Sequence, residues 1–114
     1  MNNDDYLFLR DSINEILIYL GASNSNPISV SNLCMHMGIS RKEKDLMQVK
    51  FCKLSSELSE SKNKLKLEDC RSIIESVHSP NIEMPFSDEI ILGFVNGFAN
   101  LIPDLKDLIT DLTI

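Results

Sequence analysis

NLCMHMGISRKEKDLM, Asn32 to Met47, has the layout of a helix-turn-helix. Cys34 stands four residues before Gly38, where a small side chain lets two helices cross closely. Leu33, Met37 and Ile39 place apolar groups around the turn. Ser40 followed by Glu43 makes a capping box, in which each side chain bonds the other's backbone N–H and starts a second helix. That helix carries Met47, Phe51, Leu54 and Leu58 on one face, with Leu46 and Val49 flanking, and runs to about Glu60, where Ser61 to Lys64 breaks it. Lys44 departs from the pattern, since a DNA-reading helix buries an aliphatic residue there. A lysine is tolerated only if its stem lies on apolar surface and its ammonium reaches water.

Working outward, every other strong signal is also helical. Asp5 to Leu20 repeats Tyr6, Leu9, Ile13, Ile16, Leu17 and Leu20 at three- and four-residue steps, and Gly21 follows where a helix stops. Ala22 to Pro27 is loop by composition. Leu67 to Val77 carries a second stripe of Leu67, Cys70, Ile73, Ile74 and Val77. Ser79 to Pro85 reads as a connector because it holds two prolines. Ser87 opens the last long segment, whose core face is Ile90, Ile91, Phe94, Val95, Phe98 and Ile102. Pro103 lacks an N–H and must end or kink it. Leu105, Leu108, Ile109 and Leu112 form a final stripe opposite Asp104, Asp107 and Asp111. Strand signals are confined to Ile28–Ser31 and Leu65–Leu67, too brief for a sheet. The expectation is an all-α fold: a single compact domain over residues 1–114, with five or six helices in orthogonal or bundle-like packing.

Composition bounds the function. The chain has 114 residues, 43% of them hydrophobic, and a formal net charge of −6. Non-specific attraction to nucleic acid or to an anionic membrane is therefore disfavoured. The longest apolar run, Ile16 to Leu20, is far too short to span a bilayer, and the first residues lack the cationic region of a secretory signal. Three cysteines without a close pair fit a reducing compartment, so the location expected is cytoplasmic.

Catalytic and metal motifs are lacking. Cys34-x-His36 has no second ligand pair at zinc spacing, and no cysteine carries a nucleophile signature. Neither a phosphate-cradling glycine loop nor a dinucleotide fingerprint occurs. The chain is read as a non-enzyme without cofactor.

Two features invite partners. Gly93 and Gly97 stand four apart with Asn96 and Asn100 beside them, on the side of their helix away from the core face. Two interior glycines each cost a helix about 1 kcal/mol against alanine, a cost that close approach of another backbone explains. Together with the acidic side chains of Asp104 and Asp107, this strip is the expected binding surface for another protein or for a homodimer mate. The expected role is a small acidic inhibitor, immunity protein, chaperone or regulatory subunit. The alternative is a DNA-binding regulator using residues 31–53, with Ser40, Arg41, Lys42, Lys44, Lys50 and Lys53 at the DNA. Its support is a local charge excess: eight basic and four acidic residues lie between Arg41 and Lys66, against three and thirteen elsewhere.

Overall fold

The structure, a computed structural model, describes residues 2–79 and 85–112. Among these residues six α-helices follow one another: α1 (Asn3–Tyr19), α2 (Val30–His36), α3 (Arg41–Ser61), α4 (Leu67–Val77), α5 (Asp88–Ala99) and α6 (Pro103–Leu108), with a 3-10 turn over Ile109–Asp111. No β-strand occurs among the described residues, and the fold is all-α. The connector expected over 79–85 falls mostly outside them.

Local chemistry explains the boundaries. Asn2, Ser29, Ser40 and Ser87 each cap a helix by accepting a backbone N–H three residues on. At Ser40 the reciprocal half of the box is present, the Ser40 N–H donating to Glu43 Oε1 at 3.0 Å. Gly21 and Gly38 both take positive φ, +86° and +71°. Each closes its helix in a Schellman motif: Ala22 N–H reaches the Leu17 carbonyl and Ile39 N–H reaches that of Cys34. Pro103 is the first residue of α6, where its missing N–H costs nothing.

Helix α5 is the hub. Ile91, Phe94, Val95 and Phe98 are fully buried, and the Phe98 ring centroid lies 5.2 Å from that of Phe51 on α3. Around them lie Met47, Leu65, Cys70, Ile74, Ile102 and Leu105, so α3, α4, α5 and α6 close one core. Arg71 on α4 straps the start of α5 in place, donating to the Phe86 carbonyl at 2.6 Å and to Asp88. Burial opposes the Arg71 charge, but the hydrogen bonds to Asp88 and Glu75 outweigh it and hold the guanidinium above its ordinary range. Among the described residues the one buried polar side chain, Ser55, donates its hydroxyl to the Phe51 carbonyl at 2.7 Å.

Helix α1 stands outside this core. None of its residues is buried. The molecule measures 50 × 31 × 22 Å, with a radius of gyration of 14.8 Å, against about 13 Å for a globule of this length.

Candidate interaction surface

The strip expected to receive a partner is occupied by the chain itself. Gly93 and Gly97 are buried, and their close neighbours are the Asn24 backbone and Val30 at the start of α2. A Cβ on Gly97 would lie 2.7 Å from the Val30 Cβ, and one on Gly93 would overlap the Asn24 carbonyl oxygen. Asn96 donates its side-chain amide to the Ser25 carbonyl at 2.6 Å, and Asn100 donates to that of Ile28 at 3.0 Å. Ile28 needs such support, because it sits at φ +68°, a conformation that a β-branched residue rarely adopts. The close approach inferred from the glycine spacing is present, but as an internal seam between α5 and the 24–30 segment. As a surface open to a partner, Gly93 and Gly97 are corrected, while Asn96 is half-buried and Asn100 exposed with their amides engaged in the seam. Asp104 and Asp107 lie exposed on α6.

The helix-turn-helix shape is realised: seven residues of α2, a turn through left-handed Gly38, and α3 beginning at Arg41. Its basic residues do not form one face. Ser40 is engaged in the cap, Lys44 is half-buried beside Cys34 and Ile39, and Lys50 donates to Ser76 of α4 at 3.1 Å. Arg41, Lys42 and Lys53 are exposed, but Leu46 and Val49 stand out with them on the solvent side of α3. The middle of that outward face is aliphatic.

Buried thiols offer no nucleophile. Burial pushes Cys34 up to about 11 and Cys70 up to about 12, so both stay protonated near neutrality. Cys52 is exposed. The Glu43 carboxylate is held below its ordinary value by the Ser40 backbone N–H and then by His78, whose Nδ1 lies 2.8 Å from Oε2. That contact ties the start of α3 to the end of α4, a structural role. Among the described residues no group of three or more His, Cys, Asp or Glu side chains is arranged to hold a metal, and no helix is long and apolar enough to cross a membrane.

What remains unsatisfied is α1. Its half-buried residues fall on one line, Leu7, Arg10, Asn14 and Leu17, and off that line the Tyr6 hydroxyl donates to Met35 Sδ of α2 at 3.8 Å. Much of that contact is polar: Asn14 Oδ1 accepts from Asn32 at 3.3 Å and lies 3.2 Å from His36 Nε2. A cleft of about 450 Å³ opens there, lined by Leu17, Ala22, Pro27, Leu33 and Met37 among others. The stripe read from the sequence is turned roughly a quarter of the way round the helix from this line. Its members Tyr6, Leu9, Ile13, Ile16 and Leu20 are between 39% and 58% exposed. On the far side Phe8 and Tyr19 are more exposed still, at 71% and 89%, and Ile18, beside the cleft, is 74% exposed. Single surface aliphatics are ordinary, but a contiguous apolar patch of several hundred Å² marks a contact surface. No family model matches the chain, nor does any curated protein or solved structure.

Proposed function

We propose that this protein is a non-enzymatic interaction module that binds another protein through a helical surface, with α1 as the docking element. The observation that carries the reading is a capped, 17-residue helix with none of its residues buried and two lines of large apolar side chains in water. A helix of this length is marginal alone, and packing of its apolar face normally stabilises it. A partner that covers the face supplies that packing.

The test uses Leu9→Lys/Ile16→Lys. Neither residue is buried, so the melting temperature of the dilute protein stays within about 2 °C of wild type. Capture of a protein partner from source-cell lysate, resistant to nuclease, is lost. Capture that survives the double substitution sinks α1 as the docking element, and capture that nuclease abolishes points to nucleic acid.

The formed turn at Gly38, with Arg41 and Lys42 exposed at the head of α3, favours DNA recognition as the second reading. It requires DNA retention that falls steeply with salt and is lost in Arg41→Glu/Lys42→Glu. Wild-type protein that retains no DNA at low salt eliminates it.

A further inference from the structure

The spacing and flanking charges of α1 identify an occupant for its exposed stripe. Tyr6, Leu9, Ile13, Ile16 and Leu20 are separated by three, four, three and four residues. This is the a/d spacing of a two-stranded coiled coil, in which like positions of two parallel helices meet in layers. Resting on the reading of α1 as the docking element, we infer that the partner is α1 of a second copy, packed parallel and in register.

Charge selects the direction. With Tyr6, Ile13 and Leu20 at the a positions, Asp5 falls at g and Arg10 at the following e. Residues g and e′ approach each other across a parallel pair, so Asp5 of each copy meets Arg10 of the other, and symmetry makes the pair twice. An antiparallel pair sets Arg10 against Leu17 and Asp5 against Tyr19 and has no such match. Within one chain Arg10 is only loosely engaged: its ion pair among the described residues is with its neighbour Asp11 at 3.5 Å, and its side chain is 42% exposed. The other flanking positions, Ser12, Leu17 and Tyr19, are uncharged.

Area is sufficient. The five seam residues keep roughly 500 Å² of side chain in water, and a symmetric pair removes about twice that, which reaches the ~1,000 Å² of a specific interface. The seam lies about 100° around α1 from the half-buried line, and only its first residue, Tyr6, meets the body among the described hydrogen bonds, through Met35 Sδ, so the mate helix enters from the side of Leu9, Ile13, Ile16 and Leu20. Five layers make a short coil, and each α1 enters it already capped at Asn2 and closed at Gly21.

The experiment is light-scattering mass against concentration for the full chain, with two sets of variants. Wild type should rise with concentration from 12.9 kDa toward twice that mass. Asp5→Arg places like charges across both flanks and weakens the dimer about tenfold or more, and Asp5→Arg/Arg10→Asp restores it. Leu20→Cys, made with Cys52→Ser, forms an intermolecular disulfide on mild oxidation, because position 20 is at the end of α1 and only a parallel register sets it against itself. A mass that stays at the monomer value at every attainable concentration overturns the inference. So does a dimer indifferent to the charge swap, or one that cross-links 6 to 16 but not 20 to 20. A monomer that still captures a different protein through Leu9 and Ile16 removes the second copy as partner and leaves the interaction module standing.

Discussion

Replacing Gly97 by alanine separates an internal seam from an open surface by the sign of its effect. An added Cβ at Gly97 would stand 2.7 Å from the Val30 Cβ and 3.1 Å from both the Val30 Cα and Cγ2. Carbon atoms pack favourably at about 3.5–4.0 Å, so α2 must retreat from α5 by about 0.8 Å at this point. Val30 is buried, and α5 is held on its other side by Phe51, so neither helix has free room. Overpacking of this kind costs about 1–3 kcal/mol. Alanine returns about 1 kcal/mol through helix propensity. The net loss is then between about 0 and 2 kcal/mol, or a melting temperature up to about 10 °C lower for a domain of this size. Gly93→Ala should cost at least as much, because it meets a backbone oxygen, which has no rotamer to yield. Thermal unfolding with a parallel urea titration reads both. A Gly97→Ala protein that melts about 4 °C or more above wild type refutes the seam, since an open strip gains the propensity term and loses nothing.

Two further outcomes follow from the Glu43–His78 contact and the thiols. Glu43→Ala removes the cap partner and the His78 contact together, and it should lower the melting temperature at neutral pH. The Glu43 carboxyl is held below its ordinary 4.5, so its contribution is present above that value and disappears as pH falls through the depressed folded value. The gap between wild type and Glu43→Ala should therefore narrow on acidification below about pH 4, and a gap that widens contradicts the assignment. A thiol reagent at neutral pH should label one cysteine in the native protein, Cys52, and all three after unfolding. Rapid native labelling of Cys34 or Cys70 would show that the core around α2 or α4 is open.

What the sequence made legible is what neighbouring residues decide. The Ser40/Glu43 box, the stops at Gly21 and Gly38 and the break at Pro103 each act within one helical turn, and each lies where its chemistry places it. The stripes of α3, α4 and α5 found the core for the same reason, since a buried face must recur with the helix period. Long-range partners left a weaker trace. The spacing of Gly93 and Gly97 announced a close approach, but nothing local says whether the neighbour is another chain or Val30. Asn96 and Asn100 reach carbonyls 71 and 72 residues away, which no window of sequence contains. Lys50 looked like a free cation until α4 brought Ser76 beside it. The α1 stripe was readable as an amphipathic face, yet periodicity says only that a face exists. That the half-buried line keeps only Leu17 of that stripe and adds Leu7, Arg10 and Asn14 depends on α2, where Asn32 donates to Asn14 Oδ1 and His36 Nε2 lies beside it.

Amide hydrogen exchange along α1 tests most directly the claim that this helix lies outside the core and serves as a docking element. Local opening controls exchange, and a helix without buried side chains opens at little cost. In dilute protein, amides of α1 past its first turn should exchange far faster than those of α3 and α5, which are anchored by Met47, Phe51, Phe94 and Phe98. Raising the concentration or adding a captured partner should slow exchange in α1, while α3 and α5 stay as they were. Dilute protein in which α1 is as protected as α5 contradicts the account, because the helix would then be packed on its own body with no face to offer.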